Sequence, residues 1–241
     1  MKVAIHQPHY FPWLGYLNKM ARTDTFILMD EVQLTDSSNM YRNQLLTSGG
    51  VPKYLTIPFY KTDYKHKAYK ELLINTSVEW QINHANFIRE NYRKSPYFEE
   101  IWELVSPLLT KEYLQLSEVV IESVYLLKKI FEIPTRIILQ SELDYPRDSK
   151  KNQLVLDLCL ASGADHYLSG NGAKKYMEIE PFTEKGIRVA FQDYAVSEYK
   201  QNIGQMPFVP GLSTLDQLFN LGKEQSKEIF QEKLLTNTIL S

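Results

Sequence analysis

The sequence predicts an α/β fold built on a Rossmann-like, mostly parallel sheet that is flanked by helices. Two patterns support this prediction. Short β-branched and apolar runs, which are typical of buried strands, alternate along the chain with segments of helical periodicity. The first strand, a helix and the second strand also follow one another within residues 3–30, in the order of a βαβ unit. A length of 241 residues suits one α/β domain over 1–241.

The first βαβ unit fixes where a ligand site is expected. A strand at 3–5 is followed by apolar residues at helical spacing over 14–21 and by a second strand at 26–29. Such a unit joins parallel strands through a right-handed crossover, and ligands bind in the crevice beyond the carboxyl ends of the strands. In this chain those ends are marked by His6 and Asp30.

The remaining segments continue the alternation of strands and helices. A helical lobe, inserted between strands, is expected near 79–131, and an amphipathic helix is expected over 150–161. The stretch 213–216 has the pattern of a capping box and predicts the start of a helix that ends near Gly222. Further strands are predicted at 54–58, 135–139, 165–169 and 187–191.

Composition narrows the class of protein. The net charge of −2 argues against an extended nucleic-acid surface. Cys159 is the single cysteine, so an internal disulfide is excluded and a reducing, cytoplasmic compartment is expected. No apolar run reaches the roughly 20 residues that a transmembrane helix needs, and Lys2 and His6 interrupt the first residues where a signal peptide would be apolar. No spacing of His, Cys or carboxylates specifies a metal site.

The first candidate site is the segment 6–13, which follows the first strand. It brings two imidazoles, His6 and His9, together with Gln7, Tyr10 and Trp13. Imidazoles exchange protons near neutral pH, and an amide both donates and accepts hydrogen bonds. Because polar groups crowded at a strand end are costly when unpaired, the cluster favours a functional site with His6 as a catalytic residue and the others as substrate-binding residues.

The second candidate site follows the second strand. Asp30, the second candidate catalytic residue, is expected to face His6 across the parallel strands, where a carboxylate would orient an imidazole, bind a cation or accept a proton. Gln33 lies three residues further on. The pair Arg42 and Asn43 is a candidate for binding an anionic group, since a guanidinium grips phosphate or carboxylate through two hydrogen bonds.

The third candidate site is the stretch 168–176. Its order of strand, glycine turn and helix start is typical of an anion site made by backbone amides, and Ser169, Gly170 and Tyr176 are its candidate residues. Four later residues, Asp193, Tyr194, Tyr199 and Gln201, are predicted to line the same crevice after the strand at 187–191.

Distinctive motifs are spread over most of the chain. They comprise His6-Gln7-Pro8, Tyr10-Phe11-Pro12-Trp13-Leu14-Gly15-Tyr16, Asp30-Glu31-Val32-Gln33, Arg42-Asn43, Leu55-Thr56-Ile57-Pro58, Tyr167-Leu168-Ser169-Gly170, Phe191-Gln192-Asp193-Tyr194, Tyr199, Gln201 and Leu212-Ser213-Thr214-Leu215-Asp216. In this combination the chain resembles the WbqC-like family, and the opening motif is the most specific part. It departs from the family pattern at His9, where asparagine is expected, so His6 is the preferred proton acceptor.

The resemblance implies a bacterial protein of surface polysaccharide synthesis, especially O-antigen or lipopolysaccharide synthesis. It suggests a transferase that passes a glycyl or other aminoacyl group to an amino sugar. The implied ligands are a small-molecule or nucleotide-sugar substrate, with a nucleotide or an activated aminoacyl donor as cofactor. His6 would then act as general base, and the amides at Ser169 and Gly170 would lie near an oxyanion or a phosphate.

Two other functions fit the same residues. The first is a nucleotidylyltransferase-like enzyme that binds ATP or a nucleotide-sugar, because such enzymes place two histidines three residues apart after the first strand, as His6 and His9 are. Pro8 stands where that motif has glycine, and glycine is the residue that lets the backbone approach a phosphate closely. The analogy therefore supports the fold more than the reaction. The second is a non-catalytic binding or scaffold protein of the assembly pathway, which would have a crevice without a reactive cluster and a large apolar patch elsewhere.

Overall fold

The computed structural model describes residues 1–35, 38–201, 206–236 and 239–240. Within these residues the strands are β1 (Lys2–His6), β2 (Thr25–Leu28), β3 (Arg42–Leu46), β4 (Pro52–Thr56), β5 (Arg136–Leu139), β6 (His166–Gly170), β7 (Arg188–Gln192) and β8 (Ile239–Leu240). The α-helices are α1 (Leu14–Ala21), α2 (Trp80–Tyr92), α3 (Phe98–Val105), α4 (Leu116–Ile130), α5 (Lys151–Ala161), α6 (Glu180–Glu184) and α7 (Thr214–Thr236).

The main sheet has the strand order β5-β2-β1-β6-β7-β8. Its first five strands are parallel, and only the short edge strand β8 runs antiparallel, to β7. The predicted βαβ unit is formed by β1, α1 and β2, with a register that runs from Val3 opposite Thr25 to His6 opposite Leu28. The structure confirms the predicted Rossmann-like α/β fold.

The strand order reverses between β1 and β6. From β1 the chain moves outwards through β2 to β5, and it then returns to the other side of β1 to lay down β6 and β7. Pairing of β1 with β6 stops after Val3 opposite Tyr167, whereas β6 stays paired with β7 as far as Gly170 opposite Gln192. The strand ends of β1 and β6 therefore part at the topological switch point, where ligands of open α/β sheets bind.

Alternation along β1 separates the two faces of the sheet. Ala4 belongs to the hydrophobic cluster that contains α1 and α7, whereas Val3 and Ile5 belong to the cluster that contains α5 and α6. By the same alternation, His6 and Gln7 leave the strand towards opposite faces. Two neighbouring side chains of the opening motif thus lie on opposite faces of the sheet.

The predicted helical stretch near 79–131 contains α2, α3 and α4. Its buried side chains, such as Ile88 and Val120, lie in the same hydrophobic cluster as Ala4 and Phe26 of the sheet. The helices therefore pack on the α1 face of the sheet and share one hydrophobic core with it. This packing buries their apolar stripes.

The strand predicted at 54–58 does not join the main sheet. The observed strand β4 ends at Thr56 and pairs antiparallel with β3, from Arg42 opposite Thr56 to Leu46 opposite Pro52. No strand was predicted at the position of β3. Its pairing with β4 in a separate hairpin was therefore not predicted either. Most of β4 is exposed, so the strand has little apolar surface to bury in a central position of the main sheet.

The predicted helix start at 213–216 is confirmed, because α7 begins at Thr214, but the predicted capping box is wrong. The Asp216 carboxylate accepts hydrogen bonds from Tyr92, Tyr199 and Gln201 instead of capping the helix. The predicted end near Gly222 is also confirmed, because Gly222 breaks the helical geometry with φ 75° and ψ 178°; a second helical segment of α7 follows and ends at Thr236. This second segment is favoured by burial of apolar residues beyond the glycine, of which Phe230 is fully buried.

Candidate functional site

The loop after β1 is fixed by buried side chains from three other segments. Phe11 takes a left-handed backbone conformation, φ 39°, and its N–H donates to Ser123 Oγ on α4. Asn43 on β3 donates through Nδ2 to the carbonyl oxygens of Tyr10 and Phe11, at 3.0 and 2.8 Å. Ser213 Oγ donates to the Phe11 carbonyl as well, at 2.8 Å. These bonds preorganise the loop that carries the two histidines.

Two residues predicted to bind substrate are part of this support. The Tyr10 side chain is buried, and its hydroxyl lies 3.1 Å from His84 Nδ1. Asn43 is also buried, and Oδ1 accepts from the Gln44 N–H in addition to the two carbonyl contacts of Nδ2. Neither side chain lines a pocket at the carboxyl edge of the sheet, so both act through the shape of the loop.

A small pocket of about 270 Å³ opens at the carboxyl ends of β1, β6 and β7, next to the first turns of α1. It lies at the switch point and on the α1 face of the sheet. Its lining residues are His6, Trp13, Gly15, Tyr16, Lys19, Gly170, Asn171, Gly172, Gln192, Asp193 and Tyr194.

Three aromatic rings are clustered beside this small pocket. The centroid of the His6 ring lies 4.7 Å from that of His9 and 4.8 Å from that of Tyr16, and His9 stacks on Tyr16 at 5.1 Å. His6 Nδ1 lies 3.0 Å from the Gln7 carbonyl oxygen, which can only accept a hydrogen bond. The proton of the neutral ring is therefore on Nδ1, and Nε2 is left as the proton acceptor.

Lys19 is the cation of the small pocket. Its side chain is buried in α1, and Nζ donates to the Ile5 carbonyl oxygen at 3.2 Å. Burial lowers the pKa of Lys19 to about 7. Burial and, secondly, the charge of Lys19 lower the pKa of His6 well below its usual value and that of His9 to about 3. Both imidazoles are therefore neutral at pH 7.

The buried lysine predicts that stability rises with pH. Between pH 7 and 10.5 the unfolded chain keeps the Lys19 proton that the folded chain has lost, so the free energy of unfolding increases with pH in this window. The expected gain is up to about 1.4 kcal/mol per pH unit. Urea unfolding at pH 7, 8 and 9 measures it. In Lys19→Met the slope should disappear, and an unchanged slope in this variant would assign the effect to another group.

The wall of the small pocket depends on a glycine. The Trp13 ring lies over Gly15, where an added Cβ would come within 2.2 Å of Trp13 Cη2. Trp13 also packs edge-on against Tyr194, with centroids 5.4 Å apart. Gln192 Nε2 donates to the Gly15 carbonyl oxygen and to Asn18 Oδ1, at 3.0 and 2.9 Å. The predicted residue Trp13 thus packs between Gly15 of α1 and Tyr194, and Gln192 fixes the Gly15 backbone beneath it.

A large pocket of about 720 Å³ opens on the opposite, α5 face of the same sheet edge. It contains three of the predicted site residues, Gln7, Ser169 and Tyr176. Much of its remaining wall is apolar. The lining residues are Gln7, Met29, Val32, Lys151, Asn152, Leu154, Val155, Tyr167, Ser169, Ala173, Tyr176, Met177 and Glu178.

The stretch after β6 differs from the prediction. Asn171–Lys175 forms a short 3-10 helix where the start of an α-helix was expected. Gly170 nevertheless lines the small pocket and Ser169 the large one, because alternation along β6 turns the two residues to opposite faces.

Asp30 does not face His6, which corrects the prediction. Its side chain is buried and turned towards the end of β5, where Oδ1 accepts from the Ser141 N–H at 2.9 Å and Oδ2 from Ser141 Oγ at 2.6 Å. Asp30 turns away from His6 because its hydrogen-bond donors belong to Ser141, after β5, and not to the end of β1. Through these hydrogen bonds, Asp30 connects the end of β2 to the segment that follows β5.

The four other predicted residues lie outside both pockets. Gln33 is exposed. The Arg42 guanidinium lies over the rings of Tyr54 and Tyr41, at 4.4 and 5.3 Å from their centroids. Tyr199 and Gln201 donate to the buried Asp216 carboxylate, at 2.5 and 3.1 Å, and fix the segment before α7.

Comparison with known proteins identifies the family. The family model described as "WbqC-like protein family" matches residues 7–228, which is nearly the whole chain. The chain belongs to the WbqC-like family. It is also 33% identical, over 225 residues, to the uncharacterized protein Rv1507c of Mycobacterium tuberculosis, with 92% of this chain and 95% of that protein covered. No solved structure matches the chain significantly.

Asp193 and Tyr194 line the small pocket of this WbqC-like protein, as predicted. Four other lining residues, Gly15, Tyr16, Lys19 and Gln192, were not predicted as site residues. Gly15, Tyr16 and Gln192 lay within the motifs that carry the family resemblance, so that signal was available. Lys19 carried no such signal, because a lysine in a short helix ordinarily points into water. It is buried because α1 packs between the sheet and α7.

Two further structural properties of the WbqC-like chain concern metals and membranes. Across the described residues, no three or more His, Cys, Asp or Glu side chains are grouped so that they would hold a metal ion. None of the helices in the same residues combines the length and the apolar character that crossing a bilayer requires.

Proposed function

We propose that this WbqC-like protein is a group-transfer enzyme that acts on a sugar or nucleotide-sugar intermediate of bacterial surface polysaccharide synthesis, including O-antigen synthesis. The preferred reaction is transfer of a glycyl or other aminoacyl group to an amino sugar, in the cytoplasm. The observation that carries the proposal is a neutral His6 with Nε2 as proton acceptor, beside the buried Lys19, in a pocket at the switch point. The polysaccharide context comes from the family resemblance.

The proposed reaction assigns a proton path to His6. The amino-sugar nitrogen attacks the carbonyl carbon of the activated acyl group, and the new C–N bond forms as the bond to the leaving group breaks. His6 Nε2 takes the proton of the attacking amine and returns it to the leaving group, so the imidazole is regenerated. A histidine that is neutral at pH 7 suits the first of these steps, because its lone pair is free.

The two pockets support a reaction between two substrates. Neighbouring residues of one strand end, His6 and Gln7, line the small and the large pocket, and Gly170 and Ser169 do the same from β6. The pockets lie on opposite faces of the sheet, so the proposed reaction requires the two groups to meet beyond the strand ends, next to both pockets. Holding two reactants in this way removes much of the entropic cost of a bimolecular step.

The proposal is tested by product analysis. Purified protein is incubated with an activated aminoacyl donor and a panel of amino sugars and nucleotide-linked amino sugars, and mass spectrometry detects an acceptor that has gained one aminoacyl group. Turnover that depends on His6 is the expected result. Donor consumption without an aminoacylated sugar, or turnover unchanged in His6→Ala, would contradict it.

A second candidate is nucleotidyl transfer, which the contact between the His6 and His9 rings favours. His6 lines a pocket that also contains Lys19, and His9 contacts His6 from behind; such a group of side chains would suit the negative charge of a nucleoside triphosphate. The same incubations with ATP and a sugar phosphate distinguish it, because this reaction releases pyrophosphate. Ligand binding without any turnover would instead favour the non-catalytic scaffold.

A further inference from the structure

The small pocket contains a buried amine, that of Lys19, whose charged form no acidic side chain in the described part of the protein balances. Lys19 is 3% exposed, and Nζ has one protein acceptor, the Ile5 carbonyl oxygen. Within the described residues no carboxylate forms an ion pair with it. Removing an ammonium from water without a counter-charge is costly, so a protein keeps such a group where a ligand supplies the opposite charge.

Two other buried polar atoms near Lys19 lack a partner. Among the described residues, neither His9 Nδ1 nor the Tyr194 hydroxyl has a hydrogen-bond partner, although both atoms are buried. Tyr194 lines the small pocket, and the His9 ring contacts His6 and Tyr16, which also line it. Buried polar atoms of native proteins are almost always satisfied, so these two atoms also indicate a ligand.

The ionisable groups around Lys19 leave the interior of the small pocket positive. His6 and His9 are neutral at pH 7, and burial raises the pKa of Tyr16 and Tyr194, which keeps both phenols neutral. The remaining ionisable group in the lining is Asp193, whose side chain is exposed at the surface and forms no ion pair with Lys19. The unbalanced charge therefore stays with Lys19.

We infer that the small pocket binds a phosphoryl group of the substrate, with Lys19 as its counter-charge and the Tyr194 hydroxyl and His9 as further donors. The three donors come from α1, from the loop after β1 and from the segment after β7. A phosphoryl group has three terminal oxygens for donors on separate segments, whereas a carboxylate has two in one plane. The inference rests on the proposed function in taking this pocket as the reaction site, and it makes the substrate a phosphorylated compound such as a nucleotide-sugar.

Binding of a phosphoryl group should be coupled to proton uptake. In the free protein the pKa of Lys19 is about 7, and a bound phosphoryl dianion would raise it. Above pH 7 the complex then holds a proton that the free protein has lost. By linkage, the dissociation constant should rise by up to about tenfold for each pH unit between pH 7 and 9.

Isothermal titration calorimetry on the full chain tests the inference. The probes are UDP and inorganic pyrophosphate, with uridine as the control that lacks phosphate and malonate as the carboxylate control. UDP and pyrophosphate should bind, uridine and malonate should bind much more weakly, and the UDP dissociation constant should rise from pH 7 to 9. Equal binding of malonate, equal binding of uridine, or a constant affinity over this pH range would overturn the inference.

The matched variants are Lys19→Met and Lys65→Met, of which Lys65 is exposed and lies outside the pocket. Lys19→Met should weaken UDP binding by roughly 10- to 100-fold at pH 7, as expected for loss of a charged hydrogen bond. Its Tm should be equal to or above that of the wild type, because the buried charge is gone. Unchanged UDP affinity in Lys19→Met would overturn the inference. Phosphate-dependent binding without aminoacyl transfer would instead reject only the proposed reaction.

Discussion

Replacement of His6 by alanine is expected to lower the rate of aminoacyl transfer by roughly 10²–10⁴-fold, the usual contribution of a general base. The loss should appear mainly in kcat, because His6 Nε2 is assigned to proton transfer and Lys19 to binding. The Tm should change little, since the one polar contact of the His6 ring is with the adjacent Gln7 carbonyl. Single-turnover kinetics and thermal unfolding of the same preparation measure both quantities.

His66→Ala is the matched control, because His66 lies in a 3-10 helix with an 80% exposed side chain. It should keep the wild-type rate and Tm. A His6→Ala variant that folds cooperatively and keeps its full rate would remove His6 from the mechanism, and His9 would then be the histidine to test.

Asn43→Ala is expected to lower the free energy of unfolding by about 2–4 kcal/mol. The substitution removes the Nδ2 donor of the Tyr10 and Phe11 carbonyl oxygens and the Oδ1 acceptor of the Gln44 N–H, all in buried surroundings. The left-handed Phe11 backbone loses part of the support that holds it. Urea denaturation measures the change, and ligand binding in the small pocket should weaken as well.

Asn83→Ala controls for loss of an amide, since Asn83 is exposed on α2. It should change the free energy of unfolding by less than about 0.5 kcal/mol. If Asn43→Ala proved equally mild, the hydrogen bonds from α4 and α7 would be sufficient to hold the loop.

The sheet was predictable because its strands are marked by local patterns. The first βαβ unit has short apolar runs around an apolar helix, and β5, β6 and β7 are equally distinct in sequence. The hairpin of β3 and β4 was not predictable, because Arg42–Leu46 begins with polar residues and its partner is largely exposed. Gly222 correctly indicated the end of the first helical segment of α7, whereas the second segment after the glycine was not predicted.

The site was predicted in part. His6, Trp13 and Gly170 meet in the small pocket because parallel strands bring their carboxyl ends to one edge. By the same reasoning, Asp30 was predicted to face His6. The side chain of a residue beyond the end of a strand can point in several directions, and that of Asp30 points to its hydrogen-bond donors on Ser141. The role of Lys19 could not be predicted from the sequence. It depends on burial between the sheet and α7, and no local sequence pattern indicates that burial.

A crystal structure of the protein with bound UDP tests most directly the claim that the small pocket at the β1 and β6 strand ends is the functional site. The account predicts phosphate oxygens within hydrogen-bond distance of Lys19 Nζ, with the His6 ring facing the same ligand. UDP bound away from this sheet edge, for example in the groove beside Trp80 and Ile82, with the small pocket taking no part, would contradict it.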